Sequence, residues 1–392
     1  MREFWVAVSL LWLAGVGLRL TILAVPPVIS LIQADLHLSG TEIGILSGLP
    51  VILFGIAALP GSLLVARFGA LATLVAGLLI TGVASGLRGA ALDVAVLYGA
   101  TILMSGGIAI MQPALPLLVR QWLPQRVSFG TAVYSNGLLV AETVAVLLTI
   151  PIVLPLVDNS WRLSLAVWGA PLIVIAALTV VLAPPPKETA AILPPKGRSW
   201  WPDWSNKLIW QLGLVFGAVN STYFCSNGFL PGHLTDAGRP DLIGSALTAL
   251  NFGQLPASFA LLGIVDKLER RAWPFMVCGA LMLLCVVGIA VTANLWTVFF
   301  AGMLGFLGAF VMTLGFALPA LLSSPSEMAR MSAAMFTVSY SGALVVSVLS
   351  GAAWDLAGSP AFAVLPIALS ALPLLVVPPM IRFKRVHGAA AV

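Results

Sequence analysis

Twelve apolar runs, most of them longer than 20 residues, follow one another along the chain, and this succession limits the fold more than any motif does. About 20 predominantly apolar residues cross the hydrocarbon core of a bilayer as a helix. The runs lie at 5–32, 43–65, 71–88, 94–119, 128–151, 162–183, 207–232, 243–265, 273–293, 295–322, 331–354 and 361–381. The one long polar interruption runs from Pro184 to Ser205. Charged residues make up 8% of the chain, against about 25% in a soluble domain. The reading is an all-α membrane protein of twelve transmembrane helices in two pseudo-symmetric six-helix bundles. Residues 1–183 form the first bundle, 184–205 a cytoplasmic linker and 206–392 the second.

The basic residues sort by side. With the N-terminus inside, Arg2, Arg67, Arg120, Arg126, Lys187, Lys196, Arg198, Lys207, Lys267, Arg270, Arg271, Arg330, Arg382, Lys384 and Arg385 fall on the cytoplasmic side. Arg88, Arg162 and Arg239 fall outside, and Arg19 lies in the membrane. Such a split obeys the positive-inside rule, and losing or adding one span would scramble it. It predicts a multi-pass protein of the inner (plasma) membrane with both termini cytoplasmic. The net charge of +5 comes from residues scattered between apolar runs, so lipid is the expected surroundings and nucleic acid is not a partner. The first run is about twice the length of a signal-peptide core and lacks a small-residue cleavage site, so it is expected to persist as a helix.

The halves repeat. Ala114-Leu115-Pro116 returns as Ala317-Leu318-Pro319, Tyr134-Ser135 as Tyr340-Ser341, and Pro27 as Pro231, at offsets of 203, 206 and 204. Parallel six-span repeats build one large class of secondary transporters.

Two charges lie well inside apolar runs, Arg19 and Glu142. Burying a charge among lipid-facing helices is costly, so each needs a partner or a ligand. Two readings stay open: a structural ion pair that pins the first bundle, or a substrate-binding arginine with Glu142 as charge partner or proton acceptor. In the second half Asn220, Tyr223 and Asn227 recur at i, i+3 and i+7, and Asn251, Gln254 and Ser258 repeat that spacing. That spacing stacks side chains on one helix face. These residues serve either hydrogen bonds between helices or a wet cavity. Gln112 and Tyr340 are further candidates. Gly106-Gly107 before Pro113 and Pro116, and Gly302, Gly305, Gly308 and Gly315 before Pro319, suggest closely packed, kinked helices in the fourth and tenth spans.

No phosphate-binding loop of the form G-x-x-x-x-G-K-[ST] is present, which argues against an ATP-driven pump. His37, His233 and His387 lie outside the apolar cores, and Cys225, Cys278 and Cys285 are expected to remain free thiols. Neither set suggests a metal or haem site, so no cofactor is expected. No G-x-S-x-G elbow marks a serine nucleophile, and an enzyme is not expected.

One stretch resembles a known family. Leu18-Arg19, Pro27, Leu36-His37-Leu38-Ser39, Gly44-Ile45-Leu46-Ser47-Gly48-Leu49-Pro50 and Arg67-Phe68-Gly69 resemble the start of the cyanate and 2-nitroimidazole permeases of the major facilitator superfamily. Gly106-Gly107-Ile108-Ala109, Pro113-Ala114-Leu115-Pro116, Trp210-Gln211, Tyr223 and Leu230-Pro231 extend the likeness over nearly the whole chain. The resemblance implies the major facilitator fold and alternating access. It also implies conformational gating through loops holding Arg67, and Asp266, Lys267 and Arg270. Here Ala66 precedes Arg67 where the superfamily usually has Asp, and Glu269 stands where Gly is expected.

Together these readings give a secondary active transporter, expected as a monomer, that moves a small anion of the cyanate kind or a compact nitro-aromatic or organic solute. The alternatives are an exporter of uncharged or drug-like compounds and an uncoupled facilitator. Arg19 is expected to bear the substrate's charge, with Gln112, Asn220, Tyr223, Asn227, Asn251, Gln254 and Tyr340 completing the site and Glu142 coupling it to protons.

Overall fold

The computed structural model describes residues 2–56, 58–185, 203–261, 268, 271–323, 328–381 and 383. Asp266, Lys267 and Arg270 lie outside these residues, as does the side chain of Ser258. The helices are α1 (Arg2–Gly17), α2 (Leu20–Leu23), α3 (Ile29–Leu36), α4 (Gly40–Ile56), α5 (Ala58–Phe68), α6 (Ala70–Gly89), α7 (Val94–Met111), α8 (Ala114–Trp122), α9 (Val127–Leu148), α10 (Leu154–Leu156) and α11 (Trp161–Leu182). After the interruption come α12 (Lys207–Asp236), α13 (Ile243–Phe252), α14 (Gln254–Leu261), α15 (Trp273–Val291), α16 (Leu295–Leu322), α17 (Met328–Ala357), α18 (Val364–Ala371) and α19 (Pro373–Val376).

Ten helical stretches among the described residues are long and apolar enough to cross a membrane. Of the other two expected spans, the second is described as α4 and α5 without residue 57, and the eighth is divided into α13 and α14 at Gly253. Helix starts carry the side chains that orphan N–H groups require. Asp93 accepts from Val96 N at 2.8 Å to open α7, and Asn206 accepts from Leu208 N at 3.0 Å to open α12. At α4, Ser39 and Glu42 form a reciprocal capping box, Ser39 N donating to Glu42 Oε2 and Glu42 N to Ser39 Oγ.

Paired prolines accompany the interruptions of the first and fourth spans. The regular helix of the first span ends at Gly17, and after the short α2 the adjacent Pro26 and Pro27 open a 3₁₀ turn at Pro26–Val28 that leads into α3. The single Pro231 at the repeated position leaves α12 unbroken over 30 residues. Pro113 and Pro116 likewise divide the fourth span into α7 and α8, whereas α16 runs through its lone Pro319. Each proline removes one i→i−4 hydrogen bond, and two close together remove enough to end the helix. Of the fourth and tenth spans, the fourth is interrupted at Gln112 and Pro113, and the tenth runs through Pro319 as continuous helix. The first run is likewise several short helices in series and no single helix.

Contacts gather the chain into two compact units, Met1–Leu38 with Ile56–Pro194, and Ser39–Gly55 with Pro195–Val392. In the first, α1 and α9 run in the same direction and touch through glycines. A Cβ on Gly15 would lie 2.0 Å from the Tyr134 carbonyl oxygen, and one on Gly137 would lie 2.2 Å from that of Trp12. Gly15→Val is expected to destabilise this unit by at least about 1–3 kcal/mol, the usual cost of overpacking. Gly86→Ala meets nothing within 4 Å and should stay within about 0.5 kcal/mol of the parent. Thermal unfolding in detergent compares the two.

In the second unit α4 packs on α17. Ser347 Oγ donates to the Gly44 carbonyl at 2.8 Å, and Asp355 accepts from Gly40 N at 2.6 Å and Thr41 N at 2.8 Å, capping the start of α4 from a neighbouring helix. Cys225, Cys278 and Cys285 are buried free thiols in this unit.

Candidate functional site

The first unit holds a charged cluster. Its first span loses regular helix at Leu18 and Arg19, where Leu18 N and Arg19 N reach back three residues to Gly15 O and Val16 O. Arg19 then stands at the N-cap of α2. Arg19, one turn beyond Gly15, meets Glu142, about two turns beyond Tyr134 on α9. Arg19 Nε lies 3.1 Å from Glu142 Oε1, with the two side chains 11% and 4% exposed. The structure thus brings together the two intramembrane charges singled out from the sequence. Nearer the starts of these two helices, α1 and α9 flank an open groove of about 620 Å³ lined in part by Trp5, Ser9, Trp12 and Asn136. Trp12 Nε1 donates to Asn136 Oδ1 at 2.9 Å.

A second cation is also enclosed in this unit. Arg88, expected from its place at the end of a run to be an outer-side topology charge, is 1% exposed. Its Nη2 donates to the Thr21 carbonyl at 2.8 Å and to Ser85 Oγ at 3.0 Å. No carboxylate pairs with it among the described residues. The signal that could have found it is its position at the very end of an otherwise uncharged run, where a guanidinium can turn inward as well as outward. The other outer arginine of this unit, Arg162, pairs with Asp35 at 2.6 Å and lies over the Trp161 ring.

The second unit holds a neutral network. Tyr223 Oη donates to Asn251 Oδ1 at 2.5 Å and accepts from Gln254 Nε2 at 3.1 Å. Asn251 Nδ2 donates to Asn227 Oδ1 at 2.9 Å and to the Leu247 carbonyl at 2.8 Å. Asn227 Nδ2 donates to the Tyr223 carbonyl at 3.0 Å. The network ties α12 to α13 and α14 and contains four of the expected residues. Asn220, a fifth, bonds instead to Ser339 Oγ on α17 at 2.7 Å. Tyr340 packs edge-on against Phe54 and stacked on Phe336. Gln112 is the half-buried C-cap of α7 in the first unit, and Arg67 is exposed in the last turn of α5 with its guanidinium 5.4 Å from the Phe68 ring. Tyr223→Phe removes the hydroxyl that links Gln254 to Asn251. The expected cost is about 0.6–1.7 kcal/mol, the range of hydrogen bonds between membrane helices, read from thermal unfolding.

Residues 11–238, more than half the chain, match the model of the Major Facilitator Superfamily. The chain belongs to the Major Facilitator Superfamily. It is accordingly a multi-pass membrane transporter of small-molecule solutes and not an enzyme. The superfamily fold is found again in solved structures. A bacterial homologue of the human lysosomal transporter Spinster, in an inward-facing and unoccupied conformation, superposes with a TM-score of 0.74 at 15% identity, covering 96% of this chain and 95% of that one. The nucleoside transporter NupG gives 0.74 at 12% identity, covering 97% and 98%. Among curated superfamily members, the uncharacterized transporter YycB of Bacillus subtilis strain 168 is 25% identical over 69% of this chain. The 2-nitroimidazole transporter of Escherichia coli K12 is 25% identical over 59%, and the cyanate transport protein CynX of the same organism 24% over 66%. The matches span 66%, 58% and 66% of those relatives' lengths.

Proposed function

We propose that this superfamily member is a secondary active transporter of a small monovalent anion, with Arg19 as the group that takes the substrate's charge. The observation that carries the reading is the buried Arg19–Glu142 pair at a break in the first span. A guanidinium presents a planar fork that suits an oxyanion or a cyanate-like anion. Interrupted helices in membrane transporters are common places for such sites. The net charge of the enclosed groups agrees: among the described residues of the first unit, Arg19 and Arg88 against Glu142 leave one positive charge in excess, which a bound anion would neutralise. The likeness to the cyanate transport protein supports the same substrate class.

Glu142 supplies the coupling. An anion that occupies Arg19 competes with the carboxylate, and a proton taken up by Glu142 leaves the enclosed charge unchanged. One anion and one proton then cross together. Gln112 and the neutral side chains Asn220, Tyr223, Asn227, Asn251, Gln254 and Tyr340 are assigned to the uncharged part of the solute. Arg67, with Asp266, Lys267 and Arg270, serves conformational gating. Residues 1–183 and 206–392 act as the two repeats, joined by a cytoplasmic linker at 184–205. The protein works as a monomer in the plasma membrane with both termini inside.

A second reading has specific support. The Tyr223–Asn251–Gln254 network is neutral, aromatic side chains line the groove on α1 and α9, and one relative transports 2-nitroimidazole. These favour a compact, uncharged aromatic solute. Counterflow in proteoliposomes tests the two readings. Cyanate or nitrate on the far side should accelerate entry of labelled anion if the first holds, and only 2-nitroimidazole should do so if the second does.

A further inference from the structure

We propose that Arg88 is a positioning residue for Arg19: it holds the carbonyl that the broken first span leaves without a helical donor. This deepens, and rests on, the reading of Arg19 as the substrate's charge contact. In a regular helix the Thr21 carbonyl would accept from Val25 N. Here Val25 N turns to the Ile22 carbonyl at 3.3 Å. The Ile22 carbonyl is open to it because its own helical donor would be residue 26, and Pro26 has no N–H. Thr21 O is thus displaced from the ladder in the interior of the protein, where an unsatisfied carbonyl is costly.

Arg88 Nη2 fills that vacancy at 2.8 Å. The guanidinium is anchored on two helices that cannot readily shift. It also donates to Ser85 Oγ, one turn earlier on α6, and Ser85 Oγ donates in turn to the Leu165 carbonyl of α11 at 2.8 Å. Along the same seam Gly82 and Gly169 bring α6 and α11 into backbone contact, a Cβ on Gly169 falling 2.5 Å from the Gly82 carbonyl oxygen. The line of hydrogen bonds therefore runs from a rigid helix pair to the turn that begins at Arg19. The internal repeat gives the comparison. The position 204 residues after Arg19 is Tyr223, which sits within the unbroken α12. An intact helix has no displaced carbonyl there, and the position 204 residues after Arg88 is Thr292, which carries no charge.

The test is a cycle of purified full-length variants in detergent, with potassium cyanate and potassium nitrate as probes. Arg88→Gln should weaken binding of the anion that wild type binds by about tenfold. Arg88→Lys, which keeps a charged donor of nearly the same reach, should restore it to within about threefold. In an Arg19→Gln background, Arg88→Gln should cause no further loss. A residue of purely structural importance would depress thermal stability equally in both backgrounds and leave the anion affinity of the folded fraction unchanged; that result overturns the proposal. A second readout, amide hydrogen exchange of residues 18–25 without ligand, separates this inference from the anion reading. If wild type binds neither probe, the anion reading fails, while faster exchange in Arg88→Gln, reversed in Arg88→Lys, still upholds the role of Arg88. Unchanged exchange refutes it.

Discussion

Replacing both members of the buried pair, Arg19→Gln with Glu142→Gln, should return a protein of near-parental stability that no longer transports anions. Removing Arg19 alone leaves a carboxylate that is 4% exposed without its counter-charge. Breaking one side of a buried pair costs about 3–5 kcal/mol, whereas neutralising both sides is often close to neutral. The stability loss of each single variant should therefore be largely repaired in the double variant. Anion uptake should not be repaired, because the guanidinium is gone. Arg19→Lys sharpens the point. It keeps the charge but loses the planar fork, and a charge-assisted hydrogen bond is worth about 1.5–3 kcal/mol, so uptake should fall by roughly 10- to 150-fold. A pair that serves only to pin α1 to α9 behaves differently: the double variant would regain transport together with stability, and Lys would serve as well as Arg.

Glu142→Gln carries the second large effect. Wild-type protein in proteoliposomes should accumulate the anion when the outside is acidic, because protonation of Glu142 releases Arg19 to the substrate. The sign follows from the pairing. Lower external pH favours the neutral acid, and a neutral acid does not compete for the guanidinium. Glu142→Gln fixes that side chain in a state resembling the protonated one, so binding and exchange should persist while accumulation driven by a proton gradient disappears and the pH profile flattens. If Glu142→Gln accumulates anion with the parental pH dependence, the coupling carboxylate is elsewhere.

The parts of this account that were legible in sequence are those where one residue type stands out against its surroundings. Arg19 and Glu142 are conspicuous because the runs around them hold no other charge, and two isolated opposite charges have few ways to be satisfied. The membrane-crossing character of the chain was legible in run length, a one-dimensional property, and the family in motifs such as Gly44-Ile45-Leu46-Ser47-Gly48-Leu49-Pro50 and Arg67-Phe68-Gly69. Periodicity was a weaker guide. It placed Asn220, Tyr223 and Asn227 on one helix face, yet Asn220 bonds to Ser339 while the other two join Asn251. Spacing fixes the face of a side chain, and the neighbouring helix decides its partner.

Arg88 was the residue least open to such reading. At the end of an apolar run an arginine reads as a topology charge, and its function is visible only once the Thr21 carbonyl is seen to lack its helical donor. That vacancy has a local cause, the adjacent Pro26 and Pro27. Counting prolines per span separates the broken first and fourth spans from the continuous seventh and tenth. The rule was available in the sequence, but the matching single prolines of the repeat masked the second proline in each N-terminal partner.

The most direct measurement of the central claim is a ligand-induced thermal shift. Wild type and the Arg19→Gln/Glu142→Gln double variant would be screened side by side against cyanate, nitrate and 2-nitroimidazole at constant ionic strength. A ligand present at about 100 times its dissociation constant adds roughly 2.7 kcal/mol to the folded state. One of the anions should stabilise the wild type and none should stabilise the double variant. Equal stabilisation of both proteins, or stabilisation by 2-nitroimidazole alone, would contradict the assignment of Arg19 as the contact for the substrate's charge.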